Sequence, residues 1–387
     1  MEQITYLDFD MLIESVEGGY AVRVLSSPAG EASAKFTLPF SDLELDNIAL
    51  QLGRTRRGVR RLESPEMEVA RTFGKRLFEA VFTPQVRDRL RGSLGSVNQE
   101  GKGLRIRLRT AGAPELADLP WEYLYDPSLE RFLLLSVQTP LVRYLEVPQP
   151  DRPLSVSPPL NVLFMVSNPK EYEPLEVERE WQNLKDAVGD LEKRGLVSLH
   201  RLEAATLESL LRKLRTGEFH IFHFIGHGGF DRQSEDGVLV LEDGYRGSRL
   251  VSGRYLGTIL HDHRPMRMAI LNACEGARTS RSDPFAGFAQ SLVQQGIPAV
   301  VAMQYEITDE AAITFSRELY GAIVDGYPID AAVAEARKAI FAKGNDVEWG
   351  TPVLYLCSPD GAIFNVAPSG KLPAPVKVDE RPADQEV

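Results

Sequence analysis

Apolar positions along the chain recur first at mixed spacings and then in a regular alternation of short runs and helical stripes. Residues 1–147 read as a small mixed α+β unit. It opens with an apolar strand pair around Gly18 and Gly19, and a helix begins at Ser64 and Pro65, which suit the cap and the first helical position. Along that helix Val69, Phe73, Leu77 and Val81 recur at helical spacing. In GLRIRLRT, Leu104, Ile106 and Leu108 alternate with Arg105, Arg107 and Arg109, which predicts a half-buried edge strand. PWEYLYDP and LLLSVQTPLVRYLEV complete the unit. Residues 148–159 hold five prolines in twelve positions, too many for a helix or a central strand, and predict a linker.

From Asn161 to residue 366, strand and helix alternate. NVLFMV is followed by a helix carrying Trp181, Leu184, Val188 and Leu191, then LVSLHRL, a helix from Thr206 and a strand ending at His227. A hairpin-like LVLEDGYRGSRLV, a short helix, a strand ending at Cys274, a helix after Pro284, PAVVAM, two more helices and TPVLYLC follow. Such alternation predicts an α/β domain, a mostly parallel sheet with helices on both faces, over 160–366. Residues 367–387, with four prolines, read as a disordered tail.

Two of these strands end on reactive side chains. His227 is followed by Gly228, and Cys274 lies 47 positions further on. Open α/β sheets place their sites at the carboxyl ends of strands, and a parallel sheet brings two such ends within reach of each other. A thiol of ordinary pKa is only a few per cent thiolate near neutrality, so a cysteine nucleophile needs a neighbouring imidazole. The amides of Gly228 and Cys274 are candidate donors to a developing oxyanion. Taken alone, Cys274 also fits an inert core thiol. His223 fits a satisfied core histidine or a second catalytic group. His220, His223 and His227 invite a metal reading, but their spacing suits a helix face better than a strand, so no metal is expected. Cys357, with no histidine near it, reads as core.

Composition narrows the classes further. A net charge of −11 argues against general nucleic-acid binding. The apolar runs are far shorter than the roughly 20 residues that cross a bilayer, so no membrane span is expected. The acidic start MEQITYLDFD lacks the features of a secretory signal, which predicts a cytoplasmic protein. NVLFMVSNPKEYEP lacks the glycines of a dinucleotide turn, and no cofactor is expected. The run RTRRGVRR (54–61) fits solvated loop charge or an anionic partner, and Trp121 and Tyr123 fit core or interface aromatics.

The His-Gly and Ala-Cys pairs are spaced as in caspases. HFIGHGG and LNACEGA, with EPLEVEREW (173–181), VVAMQYEITDEAA and AVAEARKAI in this order, resemble the CHAT family of bacterial caspase relatives. ADLPWEYLYDP resembles the segment that often precedes such domains. The resemblance implies a caspase-like fold and a cysteine endopeptidase acting on a specific protein substrate, in bacterial signalling or defence. It makes His227 the general base and acid, Cys274 the nucleophile, and Gly228 with Cys274 the oxyanion amides. It leaves residues 1–147 to regulate the site or to dock an activating partner or upstream protease. The contrasting reading is a catalytically silent module that recruits partners, and a small-molecule thiol hydrolase would share the dyad. Asn272 stands where caspases carry Gln, and no arginine matches their pocket, so aspartate specificity is not expected. Glu306 and Asp309 suggest a basic P1 residue, though either also fits a loop charge or helix cap. Only nine residues, EGARTSRSD (275–283), join Cys274 to the next helix, which predicts an uncut catalytic chain.

Overall fold

The computed structural model describes residues 4–53, 64–148, 153–231, 236–245, 247–274, 284–344 and 347–367, without the side chains of Phe230, Asp236, Cys274, Pro284 and Phe285. The arginine run, the 275–283 connector and the proline-rich tail lie outside the described residues.

Alternating and wholly apolar runs build one 13-stranded sheet. Its strands are β1 (Tyr6–Val16), β2 (Gly19–Ser26), β3 (Ala32–Phe36), β4 (Gly103–Gly112), β5 (Leu141–Tyr144), β6 (Leu160–Val166) and β7 (Val197–Arg201). The rest are β8 (Ile221–Asp231), β9 (Asp236–Glu242), β10 (Ser248–Ser252), β11 (Met268–Cys274), β12 (Ala299–Met303) and β13 (Pro352–Leu356). Across the sheet the order is β7-β6-β8-β11-β12-β13-β5-β4-β1-β2-β3, and β9 and β10 extend from β8 as an antiparallel arm. Strands β7, β6, β8, β11 and β12 are parallel. Strand β13 reverses direction, and β5, β4 and β1 run with it.

Helices cover both faces, as wholly apolar central strands such as β12 require. In the amino-terminal part these are α1 (Asp42–Leu52), α2 (Pro65–Val81) and α3 (Pro84–Gln99). Then follow α4 (Val177–Lys193), α5 (Leu207–Leu214), α6 (Gly253–His261), α7 (Pro284–Gln294), α8 (Asp309–Val324) and α9 (Ile329–Ala342). Helix α2 starts where the sequence predicts: Ser64 Oγ accepts from the Met67 amide at 3.0 Å. Its buried face runs through Met67, Phe73, Gly74, Leu77 and Val81, with Val69 only half-buried. A Cβ on Gly74 would lie 1.8 Å from the Tyr123 carbonyl, so this helix touches the 121–125 backbone directly.

Two strands differ from expectation. Strand β4 is not an edge but lies between β1 and β5. Alternation reports that one face is apolar; it does not report whether a neighbour is present. The neighbour here brings carboxylates. Arg105 and Arg107 each pair with Asp8 at 2.8 Å, and Arg109 bonds both oxygens of Asp10 at 2.7 Å. The Tyr144 ring of β5 lies under Arg107 and Arg109, at 4.7 and 4.8 Å. Strand β8 does not stop at His227 but runs on to Asp231, because β9 pairs with the extension.

Residues on either side of the 148–159 segment share this sheet. Strand β13 pairs with β5 through Tyr355–Arg143 and Leu356–Tyr144, and the Leu145 amide donates to the Leu356 carbonyl at 2.9 Å. They also share a core: Phe9, Leu104, Val301, Leu354 and Ile340 belong to one buried cluster on one face, while Leu163, Phe222, Leu271 and Val300 belong to the cluster on the other. The expected amino-terminal unit is therefore continuous with the α/β part in both sheet and core.

Candidate active site

The parallel strands β8 and β11 pair from Ile221–Met268 to His227–Cys274, so the last rung of this ladder sets the two reactive residues side by side at its carboxyl end. Neither needs a loop to bring it there. His227 also pairs with β9, opposite Val240, and Gly228 follows opposite Leu239.

His227 is buried, at 8% exposure. Its Nε2 lies 2.9 Å from the Glu173 carbonyl oxygen, and Tyr172 stacks on the ring at 5.2 Å between centroids, 28° from parallel. A carbonyl oxygen only accepts, so Nε2 carries the hydrogen. In the neutral ring Nδ1 is then the basic nitrogen.

The loop bearing Tyr172 and Glu173 leaves the carboxyl end of β6. Ser167 fixes its start, donating from its amide to the Ile225 carbonyl at 2.8 Å and from Oγ to the Val240 carbonyl at 2.7 Å. Helix α4 begins at its far end. The sequence marks this stretch by its lack of dinucleotide-turn glycines and, from Glu173 on, by its resemblance in EPLEVEREW, and neither assigns a part to Tyr172 or Glu173. A main-chain acceptor has no residue-type signature, so nothing in the letters could have pointed to it.

The other histidines go elsewhere. His223 Nδ1 meets the Tyr320 hydroxyl at 2.6 Å and its ring stacks on Phe164 at 4.6 Å. Burial holds its pKa down at about 3, so it stays neutral and structural. His220 Nδ1 accepts from the Asn161 amide at 2.9 Å. The three therefore do not converge, and among the described residues no group of three or more His, Cys, Asp or Glu is placed to hold a metal ion. Cys357 is buried and its Sγ donates to the Pro298 carbonyl at 3.6 Å. Because β13 is antiparallel to β12, that thiol lies at the opposite end of the sheet from Cys274.

Of the predicted pocket residues, Asn272 is half-buried in β11, level with Ile225. Glu306 and Asp309 are exposed, beyond the end of β12. Asp309 is in the first turn of α8, where Thr308 caps the helix by accepting from the Ala311 amide, so it occupies a position that favours negative charge for helix reasons alone. An unpredicted residue joins it. Burial, with the charges of Asp309 and Glu176 adding to it, pushes Glu180 of α4 up to about 7. Helices α4 and α8 both follow the carboxyl ends of parallel strands, the same end as His227 and Cys274, so this acidic group sits at that end of the sheet.

Strand order, flanking helices and paired strand ends define an α/β protein built on a mostly parallel sheet. The CHAT domain family matches residues 71–367, and the chain belongs to that family. The match starts within α2, so it takes in β4, β5 and the proline-rich segment as well as the alternating part. Among solved structures, the chain is similar to Saccharomyces cerevisiae separase in its complex with securin, at 17% identity and a TM-score of 0.36, over 80% of this chain and 20% of that one. It is also similar to the Arg-specific cysteine proteinase gingipain R, at 11% identity and a TM-score of 0.41, over 83% of this chain and 74% of that one. The chain thus spans about a fifth of the length of the separase chain. No curated protein sequence matches it. No helix among the described residues is long and apolar enough to cross a membrane.

Proposed function

We propose that the chain is a cysteine endopeptidase in which Cys274 is the nucleophile and His227 the general base and acid. The observation that carries this reading is the His227–Cys274 rung, together with the Nε2 bond to Glu173 that leaves Nδ1 as the base. In the forward step Nδ1 takes the thiol proton and the thiolate attacks the scissile carbonyl carbon. The carbonyl oxygen gains negative charge, for which the amides of Gly228 and Cys274 are the donors. Collapse of this intermediate breaks the C–N bond, and the imidazolium returns its proton to the leaving amine. Water, deprotonated by the same nitrogen, then releases the acyl group and the thiol is restored.

The acidic group of Glu176, Glu180 and Asp309 supports a basic P1 residue. In this reading the target is one specific protein, the setting is bacterial signalling or defence in the cytoplasm, and the amino-terminal strands and helices receive the activating partner or upstream protease.

Thiol labelling tests the dyad without knowledge of the substrate. At pH 6.5 an ordinary thiol of pKa near 8.5 is about 1% ionised. Cys274 in the native protein should therefore react with iodoacetamide up to ~100-fold faster than in denatured chain, and His227→Ala should remove that advantage. Buried Cys357 serves as the internal control. Labelling of Cys274 no faster than in denatured chain, with His227→Ala without effect and no cleavage of a peptide library, would leave the non-catalytic recruiting module as the function. Library cleavage after Asp rather than Arg or Lys would remove the basic P1 assignment.

A further inference from the structure

We propose that Asn168 is a positioning residue for the His227 base, holding the loop that fixes the imidazole. This inference rests on the reading of His227 as general base. Strand β6 ends at Val166, Ser167 is bonded to β8 and β9, and the chain then leaves the sheet. Of residues 169–174 only Pro169 is buried. Lys170, Glu171, Glu173 and Pro174 are exposed, Tyr172 is half-buried, and the internal turn rests on one bond from the Tyr172 amide to the Pro169 carbonyl at 3.2 Å.

Asn168 closes this loop at its base. Its Nδ2 donates to the Leu175 carbonyl at 3.2 Å and its Oδ1 accepts from the Leu175 amide at 3.1 Å. One side-chain amide thus imitates a rung of sheet between positions 168 and 175. Its own backbone amide donates to Glu242 Oε1 at 3.2 Å, which ties the same residue to the end of β9. Both features that orient His227, the Glu173 carbonyl and the Tyr172 ring, lie inside the closed segment and within three residues of Leu175.

Without the clamp the Glu173 carbonyl is free to leave Nε2, and the ring loses what distinguishes its two nitrogens. A neutral imidazole in water divides between tautomers, so part of the population would carry its hydrogen on Nδ1 and could not accept the thiol proton there. A displacement of about 1 Å in such a group costs up to ~100-fold in rate.

The tautomer is the readout that a merely structural role would not move. In protein labelled with ¹⁵N-histidine, long-range ¹H–¹⁵N spectra at pH 8 distinguish Nδ1–H from Nε2–H, and His227→Gln identifies the resonance among the six histidines. Wild type is expected to show the Nε2–H form. Asn168→Ala is expected to show both forms and a roughly 10- to 100-fold lower rate of Cys274 alkylation at pH 6.5. Asn168→Asp keeps an acceptor for the Leu175 amide and should fall between them. Folded Asn168→Ala with pure Nε2–H and a wild-type rate overturns the assignment, as does a lost rate with the tautomer unchanged. Should Asn168→Ala not fold, Asn168→Asp carries the test, and a wild-type tautomer and rate in that variant overturn it. If wild-type Cys274 shows no activation at all, the peptidase reading fails, while the tautomer comparison still decides whether Asn168 positions the ring.

Discussion

Replacing Arg143 by Met should destabilise the protein by about 3–4 kcal/mol, because the arginine is the cation of a buried network in the middle of the sheet, where β5 meets the α/β part. Arg143 lies in β5 and Glu122 in the short 3-10 turn Trp121–Tyr123, 21 residues earlier. Nη2 and Nε of the arginine reach the two carboxylate oxygens at 2.8 and 3.2 Å, and both side chains are almost wholly enclosed, at 6% and 1% exposure. The guanidinium also donates to the carbonyls of Ala117 and Leu119. Removing one partner of a buried ion pair typically costs 3–5 kcal/mol. Two neighbours reduce the loss: Gln304 donates to Glu122 at 3.0 Å, and Arg337 is within electrostatic reach of the same carboxylate. The total therefore lies near the low end of the range. Against a typical stability of 5–15 kcal/mol it is a large fraction.

Urea unfolding followed by tryptophan fluorescence is the assay, since Trp121 and Trp349 are both buried near this network. The double variant Arg143→Met with Glu122→Gln should recover at least ~1.5 kcal/mol relative to the sum of the single losses, because no charge is then left buried alone. A loss below about 1 kcal/mol in Arg143→Met, or strict additivity in the double variant, would refute this account of the network.

Glu180→Gln should raise stability by ~1–2 kcal/mol at pH 8 and by little at pH 4.5, read as the difference in urea midpoint. The carboxyl pKa is raised in the folded protein, to about 7, so its favourable contribution is present at low pH and is lost as pH rises through 7. The figure is discounted because Glu180 is only half-buried. Gly74→Ala should cost more than ~3 kcal/mol or abolish folding, since its methyl would overlap the Tyr123 carbonyl; a soluble variant with wild-type melting would show that α2 can shift away.

Much of this architecture is legible in the sequence because it is local. Caps at Ser64 and Thr206, the Gly18 turn with φ of +82°, and the strand-helix alternation after Asn161 each depend on a few neighbouring residues. The His227–Cys274 rung follows from two strand ends and one parallel register. What was not legible depends on partners far away in the chain. The arginines of β4 look like a solvent face until Asp8 and Asp10 are placed beside them. Buried Glu122 gives no local sign that Arg143 and Gln304 complete it. The Glu173 carbonyl is invisible at the level of residue type, and the clamp made by Asn168 depends on Leu175, seven residues on.

The pairing of β13 with β5 has a consequence for the order in which the chain folds. Partners in this rung lie more than 200 residues apart, as do Tyr144 and Cys357, whose hydroxyl and carbonyl meet at 3.5 Å. Strand β13 is also the last strand of the sheet to leave the ribosome. Until it emerges, β5 has an open edge and the buried face behind it is incomplete, so the amino-terminal strands cannot finish as an early, independent folding unit. Contacts of such long sequence separation make assembly slow and leave strand edges exposed for longer. The His227–Cys274 rung forms between strands made earlier, but the sheet that holds it closes only when this final strand docks.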